Sequence, residues 1–307
     1  SPPLAPTSPI TFLRHFASLS LLGSGTFADV HKCLHLSTNS LYAVKRNRRR
    51  FRGPKDTHLG EREVRALREI PESEHVLRLI RSWTEDGHLY VQTSLCCSHT
   101  LAHRLSSSSP LPLPLVSKAL LDASSALSAV HSAGYVHLDV KPSNLLLSLS
   151  GSLVLADFGC ALRVGSKMAE WNEGDSRYIS MEALKGCPSD RSDVFSLGLV
   201  ALECQGALTD VPGEGDGWRA LRSGSTPVRG YGDAVGRMTS KEPANRPSAE
   251  EVREEVSRAL RRAGGKAMDF KEYVDSVEAG AWEREARNSR RYGFADGSAG
   301  PGAAGGG

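Results

Sequence analysis

His137-Leu138-Asp139-Val140-Lys141-Pro142-Ser143-Asn144 sets an acid, a base and an amide within one short stretch, and Leu145-Leu146-Leu147 continues it. After Ser148-Leu149-Ser150-Gly151 comes Leu153-Val154-Leu155-Ala156-Asp157-Phe158-Gly159. Two short apolar runs around a Ser/Gly turn predict a β-hairpin. Such a hairpin holds Asn144 at one strand end near Asp157 at the other. An Asn and an Asp converging on one point suit Mg2+, a hard cation that takes oxygen ligands and accompanies phosphates. Asp139 then stands beside the metal as acceptor for a hydroxyl proton. Lys141 extends to the same side of an extended loop and can neutralise a transferring phosphoryl group. The bland alternative is a buried hairpin with accidental polar ends; both motifs in the right order argue against it.

The arrangement resembles the catalytic loop and metal-binding triplet of eukaryotic protein kinases, HRDxxxxN followed by DFG. The resemblance implies an α+β, bilobal fold with a small β-rich N-lobe and a larger, mainly α-helical C-lobe. Length agrees, since 307 residues exceed the usual single domain and fit two lobes sharing a cleft. A 39% hydrophobic content suffices for a substantial core, and 24% charged residues make a soluble surface. The net charge of +3 is too small to argue for nucleic-acid binding. Cys33, Cys96, Cys97, Cys160, Cys187 and Cys204 show no metal-ligand spacing, which favours a reducing, intracellular compartment. The longest apolar run, Val194 to Cys204, is interrupted by Ser196, Gly198 and Glu203, so no membrane span or signal peptide is expected.

Residues 1–15 carry Pro2, Pro3, Pro6 and Pro9 and read as a linker. Residues 16–22 alternate loosely and lead into Gly23-Ser24-Gly25-Thr26-Phe27-Ala28-Asp29-Val30. The paired glycines allow a tight turn whose N–H groups approach phosphate; from these residues alone an ordinary β-turn is the better reading, and the phosphate reading gains weight from the lysine strand that follows. Ala28 stands where the kinase loop has its third glycine and should stiffen it. Leu41-Tyr42-Ala43-Val44-Lys45 alternates like a strand and matches the V-A-I-K element. A helical pattern from about Leu59 to Ile70 offers partners for Lys45; Glu63 is chosen because Val64 and Leu67 mark the inward face, with Glu61 the alternative. The basic run 45–55 between them reads as a solvated loop rather than a nucleic-acid patch. Leu77 to Thr93 gives two strands with residues 81–87 as their turn, and Ser94-Leu95-Cys96-Cys97 is the hinge.

In the C-lobe, Val116, Leu120, Ala123, Leu127 and Val130 fall at helical spacing with Gly134 as cap. Residues 193–202 are apolar nearly all round and predict a central buried helix, from which Asp193 anchors the catalytic loop. Ser180-Met181-Glu182 stands where APE is expected, and Glu182 pairs with Arg246. Leu138 replaces the arginine that binds an activation-loop phosphate in many kinases, predicting activity without that phosphorylation.

Finer wording narrows the resemblance. YAVKRNRRRFRGPKD (42–56), HLDVKPxN at the catalytic loop, EGDxRY (173–178) and the GEGDGWRALRSG segment (213–224) are similar to the Wee/Myt kinases, which inhibit cyclin-dependent kinases. The basic segment and the later one are closest to the Myt branch. The likeness covers about residues 16–261 and implies a kinase domain at 16–262, split into N-lobe 16–93, hinge 94–97 and C-lobe 98–262. Residues 263–307 form a largely flexible tail; Phe270, Tyr273, Val274 and Val277 read equally as a short docked helix or as disordered chain, and the glycine-rich 297–307 as flexible. The resemblance implies ATP and Mg2+ as cofactors, with Asp139, Lys141, Lys45 and Glu63 catalytic and Asn144 and Asp157 on the metal. It assigns ATP contacts to Leu22, Gly23, Ser24, Gly25, Thr26, Phe27, Ala28, Val30, Ala43, Lys45, Thr93, Ser94, Cys96 and Leu146. The expected partner is a cyclin-dependent kinase–cyclin complex, met by a monomer in nucleus or cytoplasm. A general serine/threonine kinase and a pseudokinase scaffold are the alternatives.

Overall fold

The structure, a computed structural model, describes residues 11–25, 27–51, 53, 60–97, 99–107, 110–166, 174–223, 232–262 and 270. Five antiparallel strands, β1 (Phe16–Ser24), β2 (Ala28–His35), β3 (Ser40–Asn47), β4 (Leu79–Glu85) and β5 (His88–Thr93), form one sheet in the order β1-β2-β3-β5-β4. β5 is buried at every position. The helical turn α1 (Phe12–His15) precedes the sheet, and α2 (Arg62–Glu69) packs beside it, burying Glu63, Val64, Ala66 and Leu67.

Two boundaries and the role of one residue depart from the sequence reading. The β4–β5 turn is only Asp86-Gly87, both at positive φ (51° and 76°), the backbone a two-residue hairpin requires. Residues 81–85, expected in that turn, continue β4 because Trp83 pairs with Tyr90 and their rings stack at 5.1 Å. Part of the expected linker is ordered structure: Phe12 stacks on Phe16 and Tyr90, and its N–H donates to Glu85 at 2.7 Å. Within the basic run, Arg48 is a structural residue, since its guanidinium donates to Asp29 at 2.7 Å and ties β3's end to β2.

The C-lobe contains α3 (Leu101–Ser107), α4 (Leu113–Ser132), β6 (Tyr135–Val136), β7 (Leu145–Leu147), β8 (Leu153–Leu155), β9 (Leu162–Arg163), α5 (Met181–Leu184), α6 (Asp190–Cys204), α7 (Gly215–Ser223), α8 (Gly232–Met238) and α9 (Ala249–Arg262). Its core joins Leu120 and Leu127 of α4 to Val194, Phe195 and Leu199 of α6 and Val252 and Val256 of α9, each at most 1% exposed. Burying one such side chain contributes about 1.5–3 kcal/mol. By length and composition α4 could cross a membrane, but 61% of its most apolar window is buried inside this lobe. Gly134 closes the helix at φ 75°. Gly198 in α6 serves close approach, for a Cβ there would stand 2.7 Å from Thr239 Cγ2. Of the expected tail, Phe270 is described; it is fully buried in this core, and its N–H donates to the Gly151 carbonyl at 3.3 Å.

Candidate active site

A crevice runs between the sheet and the C-lobe, with an apolar wall on each side. Leu22, Val30, Ala43, Leu41 and Leu95 cluster on the N-lobe side. Opposite, Leu146 packs with Leu77, Cys96, Val154 and Ala156. The strand alternation of β1–β3 and the β7–β8 pairing put each set of side chains on one face of its own strands. Thr93 ends β5 between them, 6% exposed. At the hinge, the Ser94 N–H is committed to Arg78 O (3.0 Å) and the Cys97 N–H to Leu147 O (2.8 Å). The Ser94 carbonyl and both backbone groups of Cys96 make no backbone hydrogen bond among the described residues. A planar heterocycle with a donor–acceptor edge suits such a slot.

The glycine turn caps one end of the crevice. Gly23 and Ser24 belong to β1, the Gly25 N–H donates to Ala28 O at 2.9 Å, and Phe27 is exposed at the tip. Ala28 takes ordinary strand backbone at the start of β2. Ser24 Oγ donates to Asp29 Oδ1 at 2.9 Å, and Arg48 donates to both residues, pinning the base of the turn. Thr26 lies outside the described residues.

Inside the crevice Lys45 Nζ lies 2.7 Å from Glu63 Oε2 and 3.1 Å from Asp157 Oδ1. Burial works against a charged Lys45, yet the two carboxylates overcome it and raise its pKa. In turn the Lys45 ammonium holds Asp157 below the usual carboxylate range. Glu61, the other helix candidate, is the N-cap of α2. The far end of α2 is tied as well: Glu69 accepts from Tyr135 at 3.0 Å and from Arg163 at 3.2 Å.

The catalytic-loop stretch is hung from α6. Asp193, fully buried, accepts the His137 and Leu138 N–H groups at 2.8 Å each and faces His131 Nε2 at 2.8 Å. These bonds hold Leu138 at φ 65°, a left-handed conformation that costs a non-glycine residue free energy. Its side chain is buried with Val136, Leu162, Ile179 and Ala183, an apolar mooring for the segment after Gly159. Asp139 is saturated with donors. Oδ2 takes Asn144 Nδ2 and Lys141 Nζ at 2.9 Å each, and Oδ1 takes the Asp175 N–H at 2.9 Å. Such a carboxylate is fixed in direction, positioned to accept a hydroxyl.

The β7–β8 register pairs Leu145 with Leu155, and the Ala156 N–H donates to Asn144 O at 2.9 Å, so Asn144 and Asp157 end side by side. The Asn144 amide nitrogen is spent on Asp139, while its Oδ1 accepts no hydrogen bond among the described residues. Asp157 sits at φ 62° with its carboxylate ionised and half exposed. One neutral and one anionic oxygen fit a hard divalent cation that completes its shell with phosphate and water. Among the described residues no group of three or more His, Cys, Asp or Glu could hold a metal ion. The nearby thiols are inert: burial pushes Cys96 up to about 12 and Cys160 up to about 11.

Sequence reasoning assigned no role to Gly174 or Asp175, although it singled out their segment. Asp175 donates its N–H to Asp139, and its carboxylate lies 3.8 Å from Lys141 Nζ. Arg177 grips that carboxylate through Nε at 3.0 Å and Nη2 at 2.7 Å, and with Lys141 overrides burial to hold its pKa low. The motif was visible; its contact with Asp139 depends on long-range folding.

A family model described as the protein kinase domain matches residues 16–214. The chain is 34% identical over 252 residues to the membrane-associated tyrosine- and threonine-specific cdc2-inhibitory kinase of Drosophila melanogaster, covering 78% of this chain and 46% of that protein. To the mitosis inhibitor protein kinase wee1 of Schizosaccharomyces pombe it is 32% identical over 273 residues, covering 78% and 31%. Wee1-like protein kinase 2 of Danio rerio is 28% identical over 310 residues, covering 90% and 58%. The chain thus spans between 31% and 58% of the length of these relatives.

Proposed function

The chain belongs to the protein kinase domain family, and on that premise we propose that it is a Wee/Myt-type kinase that transfers the ATP γ-phosphoryl group to a cyclin-dependent kinase and thereby restrains mitosis. Protein kinases use ATP and a divalent metal. One observation carries the reading: Lys45 Nζ meets both Glu63 and Asp157 in the crevice, the arrangement phosphoryl transfer requires of strand lysine, helix glutamate and metal-binding aspartate.

In this reading the adenine lies between the Leu22–Val30–Ala43 wall and Leu146, its edge paired with the Ser94 carbonyl and the Cys96 backbone. Gly23 to Val30 cover the phosphates, and Lys45 orients them. Asn144 and Asp157 hold Mg2+, which when bound offsets charge on the phosphates. Asp139 receives the acceptor hydroxyl and takes its proton. Lys141 turns from Asp139 toward the transferring group. The acceptor is a hydroxyl on the glycine-rich loop of the target. The segments 42–56 and 213–224 favour the Myt branch, and the site of action is nucleus or cytoplasm.

The test incubates the chain with Mg-ATP and a cyclin-bound, cyclin-dependent kinase, mapping incorporated phosphate by mass spectrometry. Phosphate on the target's loop threonine or tyrosine, lost in Asp139→Asn and in targets lacking those hydroxyls, is expected. Transfer to other hydroxyls instead would make it a general protein kinase, and no transfer to any acceptor would leave a scaffold.

A further inference from the structure

The segment 213–224 was singled out by its sequence, yet nothing in the catalytic reading uses it. In the fold its residues Gly215–Ser223 form α7, whose inner face carries Trp218 and Arg222. Arg222 is 2% exposed, and among the described residues no carboxylate lies within salt-bridge distance of it. A buried guanidinium without a counter-ion is expensive, and burial pulls its pKa down to about 10. The compensation comes from backbone carbonyls: Nε donates to Ile179 O at 2.8 Å, and Nη2 to Arg177 O at 2.7 Å and Ser176 O at 3.1 Å. Nη1 donates to Trp218 O at 3.2 Å, and the guanidinium stacks over the Trp218 ring at 4.1 Å. Trp218 Nε1 also donates to Ser176 O, at 2.8 Å.

The missing carbonyl in that series is Tyr178 O, which accepts from Ser196 Oγ of α6 at 2.8 Å. Every carbonyl from Ser176 to Ile179 is therefore drawn inward onto α6 or α7. Directly before them stands Asp175, whose N–H fixes Asp139. Directly after them, Ser180-Met181 replaces the Ala-Pro that would otherwise stiffen this stretch of a kinase. An inward pull on four successive carbonyls decides which face of the segment looks toward an acceptor lying at Asp139. A neutral side chain of similar size would avoid the cost of burying charge but could not hold three separate carbonyls.

We propose that Arg222 and Trp218 are positioning residues: they hold residues 176–179 as the platform on which the acceptor polypeptide lies, so that α7 governs acceptor affinity rather than nucleotide affinity. The proposal rests on Asp139 as the hydroxyl-binding residue, and not on who the acceptor is.

The experiment compares the full chain with Arg222→Lys, Arg222→Met and Trp218→Phe. KM for ATP and KM for acceptor are measured separately, on the cyclin-bound kinase and on dephosphorylated casein as a generic hydroxyl acceptor. Arg222→Met should raise the acceptor KM about tenfold while leaving the ATP KM within about twofold. Arg222→Lys, which keeps the charge but not the fork, should fall between, and Trp218→Phe should cost about threefold through its lost donor. Should Arg222→Met fail to give a cooperative melt, the other two variants carry the comparison. Equal changes in both constants, or no change in either, would overturn the proposal. A wild-type chain active on casein but not on the cyclin-bound kinase would sink only the cell-cycle reading. One inactive on both would sink both.

Discussion

The Gly174 α-carbon faces the Leu138 carbonyl so closely that a methyl group on it would collide with that oxygen and stand 3.1 Å from Asp139 Oδ1. Only glycine lets the segment after the activation loop lie against the catalytic loop and deliver the Asp175 N–H to Asp139. Gly174→Ala should therefore displace Asp175 and lower kcat. A misplacement of about 1 Å at reacting groups costs on the order of 100-fold. Steady-state kinetics, with circular dichroism to show an intact fold, check this; an unchanged kcat would remove Gly174 from the site.

Glu63→Gln keeps the shape of α2's inner face but takes the charge opposite Lys45. Asp157, 3.1 Å away, then holds the lysine alone and draws it from the position between both carboxylates. Lys45 retains 29% exposure, so screening limits the loss. The expected effect is about tenfold in kcat/KM for ATP, equivalent to roughly 1.4 kcal/mol. Glu61→Gln, at the helix cap, should leave the constant near wild type.

Leu138 occupies the place of a phosphate-binding arginine and is buried instead among Val136, Leu162, Ile179 and Ala183. Apolar packing needs no phosphate to hold the segment it meets. Phosphatase-treated chain should keep full activity, measured directly after removal of the phosphatase. Leu138→Arg should not install phosphate control; it would bury an unpaired charge and lower the melting temperature, with a cost of several kcal/mol.

Glu182 meets Arg246 Nη2 at 3.1 Å and accepts from Ser192 Oγ at 3.0 Å, with Arg246 only 1% exposed. Burial alone would raise the carboxyl's pKa, but the hydrogen bonds from Arg246 overcome it and hold it below the ordinary 4.5. A depressed acid stabilises the fold above its unfolded pKa and loses that contribution as pH falls through the folded one. The melting temperature should accordingly drop below about pH 4.5, and the drop should shrink in Glu182→Gln. Glu182→Ala, which strands the buried guanidinium, should cost about 3–5 kcal/mol at neutral pH.

How much was legible beforehand can be traced residue by residue. The β7–β8 hairpin could be read because apolar runs and a Ser/Gly turn are local signals, and its register followed from the turn. Choosing Glu63 over Glu61 needed only helical periodicity, since Val64 and Leu67 mark which face is buried. The buried helix carrying Asp193 was readable from its apolar run, whereas the anchoring role of Asp193 came from the resemblance to protein kinases; its bonds to the His137 and Leu138 N–H groups agree with it. Harder was the extent of β4, because Arg81-Ser82-Trp83-Thr84-Glu85 is polar enough to read as a turn. The stacking of Trp83 on Tyr90, a cross-strand contact, decided it. Phe12 escaped in the same way, hidden in a proline-rich context until its ring met Phe16 and Tyr90.

By itself the sequence determined the order of elements, the identity of the charged residues and the phosphate chemistry they suit, because periodicity, turns and short motifs are carried by neighbours along the chain. Tertiary structure alone decided that Asp175 serves Asp139, that Arg163 and Tyr135 share Glu69, and that Arg222 holds the Ser176, Arg177 and Ile179 carbonyls from a helix far away in sequence. Those are contacts between backbone groups and distant side chains. A carbonyl or an N–H looks the same at every position in a sequence, and only packing selects the one a given side chain will reach.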